Sequence, residues 1–206
     1  MSTRKRRRRR KSRRQLQTEN NMKMAAVIGI AILLVFVVFR FQGCGKASHD
    51  SPKRVVRSLI QAYSKNNEKM VRDCYGQREN TEQSLTDEIQ SQMKYISAHG
   101  AENIKVRKCD VLDEKDDVTY VYILYSLVLE NEQEYPCLGT YMVSERNNKC
   151  YVMAPSEITE EIEDWAVTAF NKFMTTDMYK DYMKEYNTFI KKNPGYEEKI
   201  ALSLGE

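Results

Sequence analysis

The chain has 206 residues and a formal net charge of +4, but its charge is distributed very unevenly. Residues 1–23 contain eleven Lys and Arg residues and one acidic residue, so they carry +10 and residues 24–206 carry −6. Because the basic charge is confined to this tail, the folded part of the chain is a poor candidate for binding nucleic acid. The five cysteines include no CxxC pair, which argues against zinc and dithiol sites.

An apolar segment follows the basic tail and predicts a transmembrane helix over residues 24–41. Lys23 and Arg40 flank its apolar core, and their side chains can reach opposite membrane interfaces. Positive charge is retained on the cytoplasmic side, so we expect residues 1–23 to form a cytoplasmic tail that contacts anionic lipid head groups. The prediction is therefore a cell-membrane protein that spans the bilayer once and places its C-terminal domain outside the cytoplasm.

A second interpretation of this region centres on Cys44. The sequence Gly43-Cys44-Gly45 resembles the surroundings of the lipidated cysteine in bacterial lipoproteins, where an acyl chain would replace the helix as the anchor. Arg40 and Gln42 occupy positions where such signals have small apolar residues, which favours the uncleaved helix. The linker is predicted at residues 42–50, and both interpretations place the domain that follows it outside the cytoplasm.

Three helices are predicted after the linker. Ser51 and Pro52 are typical of a helix start, as N-cap and first helical residue. Asn67 is expected to cap a second, short helix that ends at Gly76, and a third helix is expected to stop at Gly100. Because the linker is short, we expect the domain to lie close to the membrane.

Two-residue alternation then predicts an antiparallel sheet, which completes one domain over residues 51–155. The alternation of apolar and polar residues changes phase near Arg107 and Lys108, which indicates a β-bulge. The long apolar run Val118–Glu130 predicts a central strand. Asn147-Asn148 predicts a tight turn into the last strand.

The cysteines of this domain are expected to be buried small apolar residues, and disulfides are the alternative outside the cytoplasm. Cys137 and Cys150 lie on the two strands of the last predicted hairpin. Their positions are out of register across the turn, so we do not expect them to form a disulfide with each other.

Residues 156–206 are expected to form a C-terminal helical extension. Ser156 is predicted to open a helix, Thr176 to restart it and Asn193-Pro194-Gly195 to end it. Its apolar stripe includes Trp165 and is larger than a free-standing appendage would expose. The extension should therefore either cover the open face of the sheet or pack against a second subunit.

The segment Ser51–Tyr75, SPKRVVRSLIQAYSKNNEKMVRDCY, resembles the first two helices of the nuclear transport factor two-like superfamily, in the form common in bacterial envelope proteins. The order of predicted elements is similar through residue 153. The resemblance implies a cone-like α+β domain of three helices and a curved antiparallel sheet, and it carries no activity. The layout of tail, membrane helix and ectodomain also resembles bitopic assembly components of type IV secretion and conjugative transfer systems.

Enzymes of that superfamily place Asp, Tyr or His groups inside the cone, and this chain has few candidates for such a role. Its two histidines, His49 in the linker and His99 at a helix end, are expected to be exposed or to cap. The acidic residues at positions 110–117 lack a calcium-loop pattern, and no metal or cofactor is predicted. The candidates for lining a pocket are tyrosines of the predicted strands, for which packing is the competing explanation: Tyr120, Tyr122, Tyr125 and Tyr141.

These features predict a non-enzymatic, single-pass membrane protein whose extracytoplasmic domain scaffolds or binds partners at the bacterial cell envelope, with a secretion or conjugation apparatus as one setting. The expected partners are membrane lipid at the tail and proteins, or a second copy, at the ectodomain. The alternatives are a ligand-binding lipoprotein anchored at Cys44 and a small isomerase-like enzyme with a tyrosine-lined pocket.

Overall fold

A computed structural model describes residues 46–77 and 82–205. Within these residues the protein is an α+β domain with six α-helices and one four-stranded antiparallel sheet. None of the helices in this part of the chain has both the length and the apolar character needed to cross a membrane. Outside the described residues lie the segment predicted to span the membrane, residues 24–41, and the residues associated with it, Lys23, Arg40 and Cys44.

Three helices precede the sheet: α1 (Pro52–Ser64), α2 (Glu68–Cys74) and α3 (Gln83–Ala98). Pro52 occupies the first turn of α1, as predicted. The side chain of Asn67 caps α2 by accepting a hydrogen bond from Met70 N at 3.1 Å. Gly76 and Gly100 follow α2 and α3 with φ values of 73° and 60°, in the left-handed region that glycine adopts without steric cost. The predicted ends of these helices are confirmed.

The sheet is a meander whose strands pair in sequence order: β1 (Ala101–Lys115), β2 (Val118–Leu129), β3 (Glu134–Arg146) and β4 (Lys149–Val152). β2 pairs with both β1 and β3 and is the central strand that its apolar run predicted. The β1 register shifts between Val106 and Lys108, which confirms the predicted bulge. Asn147 and Asn148 have φ values of 53° and 57°, as a two-residue hairpin turn of this type requires.

Helices α1 to α3 pack against one face of the sheet and form the main core. Alternate residues of β2 point to this face, and Val121, Ile123 and Leu127 are fully buried there. Leu59 of α1 and Leu85 of α3 are equally buried in the same cluster. Burying a side chain of this kind stabilises the fold by roughly 1.5–3 kcal/mol. This core fixes how α3 lies against the sheet, and α3 and β3 together form the site described below.

Four cysteines belong to the same core as free, buried thiols: Cys74, Cys109, Cys137 and Cys150. Cys150 lies opposite Glu145 of β3, and Cys137 lies opposite Tyr125 of β2, so the two cysteines are not cross-strand neighbours. Burial raises the pKa of Cys74 and of Cys137 to about 12. The expectation of buried, unpaired thiols is confirmed for these cysteines.

The start predicted for the C-terminal extension is wrong by a few residues. Ser156 lies in a 3₁₀ turn (Pro155–Glu157), and α4 (Glu160–Met174) begins only after Thr159, whose hydroxyl accepts a hydrogen bond from the Ile162 N–H. Between them Ile158 has extended backbone angles, which interrupt the helical path. The restart at Thr176 is confirmed, because Thr176 caps α5 (Asp177–Lys192), and a short further helix, α6 (Tyr196–Leu204), follows Gly195.

The extension covers the face of the sheet opposite to α1–α3, as one of the two expectations had it. Trp165 of α4 packs near Tyr120 with ring centroids 6.0 Å apart, and its Nε1 donates to Asp113 Oδ2 at 3.1 Å. Phe173 packs on Tyr122 at 4.8 Å. From there α5 contacts β3, and α6 contacts α3. The chain thus covers this face of the sheet and then returns to the helical layer.

The linker residues before α1 are attached to β4. The His49 carbonyl accepts from Cys150 N at 2.9 Å, and His49 Nδ1 donates to the Cys150 carbonyl at 2.8 Å. His49 Nε2 lies 3.8 Å from Asp73 Oδ2, and the ring packs on Tyr151 at 4.5 Å. Its side chain is only 14% exposed. The expectation of an exposed linker histidine is therefore wrong, because the linker runs along the outer edge of the sheet.

Candidate functional site

A cavity of about 290 Å³ lies between α3, β3 and α5. We call it the tyrosine cavity, because phenol rings from four elements line it: Tyr95, Tyr125, Tyr135, Tyr141 and Tyr182. Its volume is near the lower end of the usual range for small-ligand sites, roughly 300–1,000 Å³. A larger groove of about 610 Å³ lies on the other side of α5, where Arg107 and Glu185 form an ion pair across it. The tyrosine cavity contains two of the tyrosines that the sequence predicted as pocket residues, so it is the better candidate site.

The structure divides the four tyrosines predicted as pocket residues between the two faces of the sheet. Tyr125 and Tyr141 line the tyrosine cavity. Tyr120 and Tyr122 lie on the opposite face in the clusters formed with α4. Strand alternation explains the division, since residues 120 and 122 of β2 share one face and residue 125 points to the other. Tyr120 and Tyr122 are thus core residues beneath α4.

The phenols around the cavity are neutral hydrogen-bonding groups at physiological pH. Burial raises the pKa of Tyr125 and Tyr141 well above the usual value for tyrosine, and that of Tyr182 to about 12. Among the described residues, Glu88 is the one acidic residue in the lining. No group of three or more His, Cys, Asp or Glu side chains suited to a metal ion occurs among the described residues. The cavity can therefore donate and accept hydrogen bonds, with a single carboxylate at its wall.

One wall of the cavity is the outer edge of β3. β4 pairs only with the last four residues of β3, and the Met142 carbonyl accepts one further bond from Met153 N at 2.9 Å. The backbone N–H and C=O groups of Met142 therefore point away from β2. Because this direction alternates along a strand, the N–H and C=O groups of Leu138 and Thr140 also point away from β2. No strand pairs with them in the described part of the chain. Pro136 lacks an N–H, as is typical of an edge position, and limits this unpaired edge at one end.

A polar cluster lies beyond Tyr135, at the end of α3. His99 is only 7% exposed, and its Nδ1 lies 2.9 Å from the Tyr196 hydroxyl. Its Nε2 is buried and has no hydrogen-bond partner among the described residues. The hydroxyls of Tyr135 and Tyr186 both donate to Glu197 Oε1, the former at 3.3 Å. His99 is the C-cap residue of α3, as one of the two expectations had it. The other expectation, an exposed ring, is wrong, because Tyr196 at the start of α6 covers the ring.

Burial controls the charge of His99. It lowers the pKa of His99 to about 4, and the nearby Glu197 carboxylate offsets only part of this effect. The imidazole is therefore neutral at physiological pH. Sequence reasoning missed Tyr196 and Glu197 as members of this cluster, because they are far from His99 along the chain and belong to a helix that was not predicted.

The chain matches no protein-family model, and no curated protein or solved structure is significantly similar to it. The class of protein that the structure defines is an α+β domain with helices on both faces of a four-stranded antiparallel meander. Its distinguishing features are an unpaired strand edge, a cavity lined by neutral phenols beside that edge, and a buried polar cluster around His99.

Proposed function

We propose that this chain is a non-enzymatic, single-pass membrane protein of the bacterial cell envelope whose extracytoplasmic domain binds and scaffolds protein partners. The observation that carries the proposal is the unpaired outer edge of β3. An extended segment of a partner can add to such an edge as a new strand. Backbone hydrogen bonds then supply affinity, and side-chain pockets beside the edge supply specificity.

The groove at this edge has the parts that strand addition needs. Leu138 and Thr140 offer two N–H and two C=O groups, enough for a short antiparallel or parallel pairing. α3 borders the edge through Gln92 and α5 borders it through Tyr182, so an added strand would lie between two helices. The tyrosine cavity opens beside it and would receive one side chain of the added segment. A secretion or conjugation apparatus is the setting we favour, by analogy of layout.

We assign the membrane anchor to residues 24–41 and the cytoplasmic tail to residues 1–23, on the basis of their apolar and basic composition. Acylation at Cys44 remains the alternative anchor. The mass of the intact protein extracted from membranes separates the two. A full-length, unmodified mass supports the helix, and a mass that begins at acylated Cys44 supports the lipoprotein.

We also propose that the domain has the cone-like fold of the nuclear transport factor two-like superfamily. The order of a long helix, a short helix and a third helix before a meander supports this assignment. The register of β1 shifts at three places, and bulges of this kind increase the bend and twist of a sheet. Helices α4 to α6 are an addition outside that pattern.

A second candidate function is small-ligand binding or isomerase-like chemistry in the tyrosine cavity. The observation that favours it is the convergence of Glu88 with several phenols on one cavity. A carboxylate base opposite phenol donors can move a proton beside a carbonyl group. A ligand that binds there would lose affinity in a Glu88→Gln variant, whereas strand addition at β3 would continue.

In-cell photocrosslinking tests strand addition. A photoreactive residue at Gln92, on the rim of the groove, should capture a partner in the native host. Thr140→Pro removes an outward N–H without breaking a bond to β2, so it should abolish the cross-link. Thr140→Val keeps the backbone donor and is the matched control, which should cross-link normally. A cross-link that survives Thr140→Pro would contradict strand addition.

A further inference from the structure

A second, smaller cavity lies between the end of α3, the start of β3 and α6. Its volume is about 140 Å³. We call it the α6 pocket. Tyr95 and Tyr135 border both this pocket and the tyrosine cavity, but the other walls differ. The remaining lining residues are polar groups of the His99 cluster and apolar residues of α6: His99, Glu197, Ile200, Ala201 and Leu204.

Aromatic rings form much of the wall of the α6 pocket. The His99 ring meets Tyr135 at 4.6 Å in a tilted arrangement and Tyr95 at 4.7 Å edge to face. The face of a tyrosine ring carries negative electrostatic potential and attracts a cation that lies within about 6 Å of its centre. The walls of this pocket therefore favour a positively charged group over an anion.

A carboxylate stands at the rim of the pocket. Glu197 is exposed and lines the pocket, while its Oε1 is held by the hydroxyls of Tyr135 and Tyr186. No ion pair to Glu197 occurs among the described residues. The nearby Lys94 donates instead to the Leu204 carbonyl at 2.5 Å. The Oε2 atom of Glu197 is thus available to a cation that enters the pocket.

The unpaired nitrogen of His99 indicates what kind of cation fits. When Nδ1 donates its proton to the Tyr196 oxygen, Nε2 is an acceptor, and it is the buried atom without a partner in the described chain. A quaternary ammonium has no N–H to offer, whereas a primary ammonium has three donors. Nε2 is covered in the unliganded domain, so a shift of one of the rings that pack on His99 must accompany its contact with a ligand.

We propose that the α6 pocket binds a primary ammonium group, carried by a small alkylamine or by a lysine side chain of a peptide. The charge rests against the rings of Tyr95 and Tyr135. One N–H is donated to Glu197 Oε2 and a second to His99 Nε2. This site is separate from the β3 edge, so the proposal does not depend on strand addition.

The two histidines of the chain make a direct test possible. In the full-length protein labelled with ¹⁵N-histidine, His99 reports on the pocket and His49, held at β4, serves as the internal control. Titration with propylammonium chloride should shift the His99 signals saturably, at millimolar concentrations, with Nε2 behaving as a hydrogen-bond acceptor. The His49 signals should not move. 1-Propanol and propionate of matched size should leave both histidines unchanged.

Three variants and one comparison of probes complete the test. Glu197→Gln keeps an oxygen for the tyrosine hydroxyls but removes the charge, and it should weaken binding by about tenfold or more. Tyr95→Phe keeps the ring face and should bind normally, whereas Tyr95→Leu should not. Stronger binding of Nα-acetyl-lysine amide than of propylammonium identifies a peptide as the source, and the reverse identifies a free amine. The proposal is overturned by no saturable His99 shift, by an equal response to 1-propanol, or by unchanged binding in Glu197→Gln with an intact His49 signal.

Discussion

The burial of His99 should make the stability of the domain depend on pH within a defined window. Its pKa is about 4 in the folded domain, against about 6.5 for an unperturbed histidine. Between these values the unfolded chain binds a proton that the folded domain does not, so stability falls as the pH decreases from about 6.5 to about 4. A pKa difference of about 2.5 corresponds to about 3 kcal/mol, of which about 2 kcal/mol should be lost by pH 5.

Urea unfolding of the full-length chain in mild detergent at pH 7.5 and pH 5 measures this effect, with the single tryptophan, Trp165, as the fluorescent probe. The His99→Gln variant removes the titration of this residue. All other groups are the same in both proteins, so their contributions cancel in the comparison. The wild type should lose about 2 kcal/mol more than the variant between the two pH values. Equal losses of stability in the two proteins would mean that His99 takes up a proton as readily in the folded domain as in the unfolded chain. That result would contradict the predicted pH dependence.

Four further substitutions test the packing and capping of the domain in the same unfolding assay. Gly76→Ala should lower the free energy of unfolding by about 1–3 kcal/mol more than Gly100→Ala does. Both residues have positive φ, but only at Gly76 would a Cβ lie 2.9 Å from Tyr151 Cδ1, so equal losses of stability would contradict this prediction. Ile123→Ala should cost about 2–5 kcal/mol by leaving a cavity in the main core, and a loss below about 1 kcal/mol would argue against its full burial. Thr176→Ala removes the N-cap of α5 and should cost about 1 kcal/mol, whereas no change would show that the cap is dispensable.

The features of the fold that could be predicted from the sequence are those determined by interactions between residues close together in the chain. The Asn67 cap, the turn at Asn147-Asn148 and the bulge near Lys108 each depend on a few neighbouring residues, and all were placed correctly. The start of α4 was misplaced for a local reason as well. A proline at the start of a helical turn suits a 3₁₀ turn as well as an α-helix, so Pro155 and Ser156 could not be told from a true α-helix start.

The site was harder to predict because it depends on distant contacts. The placement of the tyrosines on two faces of the sheet could have been predicted, because side chains alternate along β2 and Tyr125 therefore points away from Tyr120 and Tyr122. The environment of His99 could not, because α6 has nine residues and its N-terminal Tyr196 reaches His99 across 97 residues of chain. The unpaired edge of β3 was equally hidden, since it results from β4 being only four residues long.

The attachment of the linker to β4 has a consequence for the way the domain folds. His49 and Cys150 are 101 residues apart, so the first residues of the domain gain these hydrogen bonds only after its last strand, β4, has been synthesised. Contacts of such long sequence separation slow folding and make it cooperative. A nascent domain that lacks β4 would keep its N-terminal segment free, which would leave both this segment and the sheet edge open to chaperones until synthesis is complete.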